Sequence, residues 1–140
     1  MSSLPQELRE LAGQASRMDE ALFLAARLFR QAAEQHWNTG GSGTWPAWSP
    51  LYASRNDARR LMDRRGGMLA SFTQRGGKHI ERIDGEFLEV GSSSSRAVFH
   101  RDGAGALPVR DPMPPPELFE RDWIEGMRAH LFEDAGRFGL

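Results

Sequence analysis

The chain carries four histidines, His36, His79, His100 and His130, and no cysteine. No two histidines stand four residues apart, the spacing that sets two imidazoles on one helical face around a metal ion, and without thiols a cysteine-ligated ion is excluded. His100-Arg101-Asp102 spells the catalytic-loop triplet of protein kinases, but 140 residues are too few for a kinase, and neither a phosphate-covering G-x-G-x-x-G nor D-F-G occurs. Gly40-Gly41-Ser42-Gly43 lacks the Lys-Ser or Lys-Thr that completes a phosphate-binding loop. Serines are frequent, yet no G-x-S-x-G elbow is present. A small hydrolase would have to bring His100, Asp102 and a distant serine together. The reading is therefore of a chain without catalytic residues, metal ligands or cofactor, and not of an enzyme.

The densest basic stretch is Arg55, Arg59, Arg60, Arg64 and Arg65, interspersed with Asp57 and Asp63. It reads as a solvated, salt-bridged helix face; the alternative is a nucleic-acid-binding module in which these arginines attract phosphate without regard to sequence. Lys plus Arg number 18 against 19 Asp plus Glu, so a net charge of −1 supplies no global field for DNA or an anionic membrane. No run approaches the ~20 apolar residues that cross a bilayer, and the first residues lack the apolar run of a signal peptide. No membrane partner is expected.

At 15.7 kDa, with 39% hydrophobic and 26% charged residues, the chain reads as a single domain over 1–140, and 15 Gly with 8 Pro predict long connections. Without disulfides or metal, its stability must come from its core or from oligomerisation. From Leu4, apolar residues recur at Leu8, Leu11, Ala15, Met18, Leu22, Ala25, Phe29 and Ala32, which predicts a long N-terminal helix, or two collinear pieces broken near Gly13. The Gly/Trp loop 38–50, NTGGSGTWPAWSP, cannot continue that helix. Ser49-Pro50 then reads as the start of a second helix running to about Arg65, ended by Gly66 and Gly67.

Two short runs flank Asp84-Gly85, a hairpin signature, and Ile80 and Ile83 are out of phase, which predicts a bulge or a longer turn. Ser92 to Ser95 read as a flexible connection. The Pro-rich arm 103–116 excludes an interior helix or central strand and predicts a wrapping loop. From Glu117, helical spacing of Leu118, Phe119, Trp123, Ile124, Met127 and Leu131 predicts a C-terminal helix. The fold class is α+β: a long N-terminal helix, a second helix, a small antiparallel sheet with a central hairpin, and a C-terminal helix.

Taken in order, several elements resemble the virion morphogenesis, or tail completion, family of Mu-like tailed phages. They are Trp45-Pro-Ala-Trp48-Ser-Pro-Leu51, Gly67-Met-Leu69-Ala-Ser71, Leu88-Glu-Val90-Gly91, Ala97-Val-Phe99-His100 before Gly103, and Leu107-Pro108-Val-Arg110. The resemblance covers roughly residues 20–132. It departs at Arg96, Arg101 and Asp102, where the family has an aromatic, a glutamine and an apolar residue. The resemblance implies a structural virion protein that joins head to tail (a neck connector) or completes the tail, located at the neck or tail end of the particle and made in the host cytoplasm. It implies a homo-oligomeric ring, with six copies suiting the tail, that contacts other phage neck and tail proteins and, in passing, DNA. Candidate interaction residues are Trp45, Trp48, Leu51, His100, Pro108 and Arg110. Two roles are open for the Trp-bearing loop and the arm: anchors for neighbouring subunits, or a cover for the domain's own core.

Overall fold

The apolar stripe forms one uninterrupted helix, α1 (Leu4–Asn38), through both Gly13 and the Ser16-to-Asp19 spacing. Its 35 residues span about 52 Å at 1.5 Å per residue. Among the residues whose side chains are described, the buried ones begin at Ala21, with Leu22, Ala25, Ala26, Phe29, Ala33 and Trp37 also in the core, while residues 6–10 are exposed. The structure, a computed structural model, describes residues 4–55, 62, 67–85, 87–103, 105 and 108–137.

After α1 come α2 (Pro50–Arg55), α3 (Gly67–Thr73), the strands β1 (His79–Asp84) and β2 (Phe87–Ser92), α4 (Ser95–Asp102), a 3-10 turn (Pro116–Leu118) and α5 (Glu120–Arg137). The architecture is α+β, built around a long first helix, a single antiparallel hairpin and a C-terminal helix. Beyond Arg55 the expected second helix lies outside the described residues except at Met62, which is a turn residue with φ +63, so the helix does not run unbroken to Arg65. Gly67 opens α3 rather than closing that helix.

α1 ends where the sequence demands. Gly40 adopts the left-handed conformation at φ +62, and the Gly41 and Gly40 amides return to the carbonyls of His36 and Trp37 at 2.8 and 3.2 Å. This satisfies two of the helix's last orphan carbonyls.

α5 packs beside the buried half of α1 and runs antiparallel to it. The Trp123 indole N–H donates to the Ala25 carbonyl at 2.7 Å, and the His130 ring meets Glu20 one end further along, at 3.1 Å. Between them, a Cβ on Gly126 would come within 2.9 Å of Leu24 Cδ2. Glycine costs about 1 kcal/mol in a helix interior, and here it permits the close approach. Phe119 closes the seam with an edge contact to Phe29, ring centroids 5.6 Å apart.

The hairpin covers another side of α1. Its register is regular from His79 opposite Ser92 to Asp84 opposite Phe87. Asp84 and Phe87 are partners, so only two residues separate the strands, and the pairing has neither the bulge nor the longer loop that the phase of Ile80 and Ile83 predicts. One face carries His79, Glu81 and Ile83 beside Ser92, Val90 and Leu88, and Val90 reaches the core. Ser92 to Ser95 are not a loose connection. Ser92 closes β2 and bonds Ser71 at 2.6 Å, Ser94 is buried, and Ser95 begins α4.

Candidate interaction site

The Gly/Trp loop and the Pro-rich arm lock onto each other at the end of α1. Four successive residues, Gly40 to Gly43, have positive φ, a left-handed coil that brings Trp45 back over the helix it has just left. Trp45 stacks edge-on against Trp37 and His36, with both centroid separations 5.2 Å. Gly41 must be glycine for this, because an added Cβ would lie 2.1 Å from the Trp45 ring. The arm then crosses these rings. The Trp37 indole donates to the Pro112 carbonyl at 3.1 Å. Trp45 donates to the Asp111 carbonyl at 3.0 Å, and His36 Nε2 donates to the same oxygen at 2.8 Å. The other ring nitrogen, Nδ1, is hydrogen-bonded to the Ser42 hydroxyl at 2.9 Å.

Proline makes the arm's burial affordable. Pro112 and Pro114 are fully buried, and neither has an N–H to satisfy. Between them, the Met113 amide donates to the Asp111 carboxylate at 3.0 Å, a local turn closure. Arg110 completes the clasp: buried at 7% exposure, it donates through Nε to the Pro46 carbonyl at 2.7 Å and through Nη2 to the Ala47 carbonyl at 3.2 Å. Its own amide donates to the His100 carbonyl at 2.8 Å, which ties the arm to the end of α4.

Trp45 and Arg110 therefore lie inside the molecule, against its own core. Trp48 and Pro108 are half-buried. Leu51 belongs to α2, but its side chain lies outside the described residues, as do Arg59, Arg60, Arg64, Arg65 and the side chain of Arg55. The clasp presents apolar groups on its outside: Val98, Phe99, Val109 and Met113 are all exposed.

His100 is half-buried, with Nδ1 buried and without a hydrogen-bond partner. Burial first, and then the guanidinium charges of Arg110 and Arg96, hold its pKa below the ordinary imidazole value. Asp102 is exposed and held by Arg101 at 2.9 and 3.2 Å. The relay a hydrolase would need around His100 is not formed.

A second polar cluster stands beneath the hairpin. Glu81, 10% exposed at its side chain, takes His79 Nε2 and Arg75 Nε at 3.1 Å each and stands 3.2 Å from Arg30 Nε. Arg30 Nε is buried and not aligned to donate, so this contact is charge alone. His79, with no side-chain exposure, directs its other nitrogen to the Ser71 carbonyl at 2.9 Å. The imidazole is thus held from both sides, by a carboxylate and by a backbone carbonyl. The Ser71 hydroxyl donates to the Met68 carbonyl, away from the imidazole. Ser71, His79 and Glu81 thus form a clamp rather than a nucleophile relay.

Sequence reasoning singles out Trp45 and Arg110 by residue type and order. It misses His36, Trp37 and Asp111, whose partners lie far along the chain, and Glu81, a charge on an inward strand position. No helix among the described residues is long and apolar enough to cross a membrane. The chain matches no protein family, no curated protein and no solved structure with which it was compared.

Proposed function

We propose that this chain is a structural subunit of a tailed phage particle, acting at the neck or tail end by assembling with copies of itself into a ring and catalysing no reaction. The ordered sequence elements that resemble the tail completion family support this reading. The observation that carries it is the clasp. Three of those elements, the Trp45 loop, the His100 segment and the arm at Arg110, meet in one hydrogen-bonded unit at the end of α1.

A unit so fixed loses little conformational entropy on assembly, and it holds Val98, Phe99, Val109 and Met113 in solvent, where a neighbour would cover them. Of the two roles open for Trp45 and Arg110, the reading takes the internal one. They shape the surface, and the exposed apolar residues around them make the contacts.

Sedimentation of the purified full chain across a wide concentration range tests the reading. Growth from monomer to one defined, closed oligomer is the expected result. A monomer at every concentration would contradict self-assembly.

A further inference from the structure

Phe23, Arg27 and Arg30 follow one another at helical spacing along α1, and with Glu34 they share one stripe. At 100° per residue these positions lie about 60° (Arg27) to 120° (Arg30) around α1 from Leu24, where α5 packs. Two depressions of about 280 and 270 Å³ open along it, between α1 and the segment joining α3 to β1. Phe23, Arg75 and Gly76 line the first, and Arg27, Arg30 and Thr73 line the second. The Arg30–Glu81 ion pair stands between them.

Three guanidiniums line this groove, those of Arg27, Arg30 and Arg75, against two carboxylates, Glu34 and Glu81. Glu81 is shared among Arg30, Arg75 and His79, and Arg27, exposed beside them, has no ion pair among the described residues. Phe23 is 50% exposed at one end.

The opposite composition stands at the start of α5. From Glu117 to Glu125, four carboxylates face one guanidinium, Arg121, which is tied to Glu125 at 3.0 Å. Glu117, Glu120 and Asp122 have no ion pair among the described residues, and Ile124, one helical turn beyond Glu120, is 55% exposed.

We propose that the groove along Phe23, Arg27 and Arg75 receives the 3-10 turn and the first turns of α5, with Glu117, Glu120 and Ile124, from a second copy of this chain. Each surface pairs an exposed apolar residue with charge opposite to that of the other. Because the two lie on different sides of α1, the contact is head-to-tail, the kind that repeats around a ring. The depressions are shallow and open, a form suited to a helix ridge rather than an enclosed small molecule. The proposal rests on the self-assembly reading and names the faces that it uses.

Reciprocal charge exchange in the full chain tests it, with association measured by sedimentation and folding by thermal melting. Both positions are on the surface, so the single variants Arg27→Glu and Glu120→Arg should stay folded. Each is expected to weaken association by roughly tenfold or more, since like charges then meet across the interface. The double variant, which restores opposite charges, should recover most of it. If the parent chain associates and the single variants associate equally well, the interface is wrong while self-assembly stands. Loss in both singles without recovery in the double also overturns the pairing. A parent chain that never associates overturns both. Salt-sensitive DNA retention abolished by Arg27→Glu, with association unchanged, would give the groove to phosphate instead.

Discussion

His36 and Trp45 donate to one acceptor, the carbonyl oxygen of Asp111, at 2.8 and 3.0 Å, across 75 and 66 residues of sequence. That shared oxygen joins the end of the long helix, the glycine loop and the proline arm. Its consequences can be measured residue by residue.

Gly41 and Gly43 separate packing from backbone strain. Both have positive φ, but only at Gly41 would a Cβ strike the Trp45 ring. Gly43→Ala should cost about 1 kcal/mol, the price of a left-handed alanine. Gly41→Ala should cost that and at least ~2 kcal/mol more as the indole is displaced. Denaturant titration of the two variants, with tryptophan fluorescence following the indole, checks the difference.

Arg110 holds the loop through two carbonyls at once. Arg110→Ala leaves both without their charged donor and should lose about 2–3 kcal/mol. Arg110→Lys keeps the charge but not the planar fork, and should recover less than half of that loss. Thermal or denaturant midpoints of the three proteins read this out. Recovery of full stability by lysine would show that charge alone matters.

Glu81→Gln removes the carboxylate that offsets Arg30, Arg75 and His79. Breaking a largely buried ion pair from one side costs about 3 kcal/mol, because Arg30, 20% exposed at its side chain, is left desolvated without its carboxylate. Hydrogen exchange should show β1 and β2 opening more readily while the α1–α5 pair keeps its protection.

His100 makes stability depend on pH. Burial, Arg110 and Arg96 keep the folded-state pKa below the ordinary 6.5, so the unfolded chain binds this proton more readily. The associated stability is present in full above 6.5 and is lost as pH falls from there through the lower folded value. The charged groups acting on the ring are Arg110 on the arm and Arg96 on α4. Replacing His100 with Gln should flatten the stability profile across that window. An unchanged slope in the variant would assign the dependence elsewhere.

The helix pair was legible in the sequence because burial along one side leaves a periodic record. Ala25, Phe29 and Trp123 sit where the spacing predicts, and Gly40 ends α1 as a glycine at that position should. The hairpin's existence was legible from its turn residues. Its inner face was not, because Glu81 is a charge at an inward position, and only the convergence of Arg30, Arg75 and His79 makes that tolerable.

α4 was hidden by its start among serines and by its lack of any buried residue. In the clasp, Trp45 and Arg110 announce themselves by type. Trp37, His36 and Asp111 do not, because nothing local marks a side chain whose partner is 66 or 75 residues away.

A side-chain-resolution cryo-EM map of the neck and tail end of a tailed phage whose genome encodes this chain tests the proposed role most directly. The account predicts a closed ring of this chain there, with Trp45 and Arg110 inside each subunit and the exposed apolar residues of α4 and the arm covered by neighbours. Absence of the chain from both the neck and the tail end would contradict it.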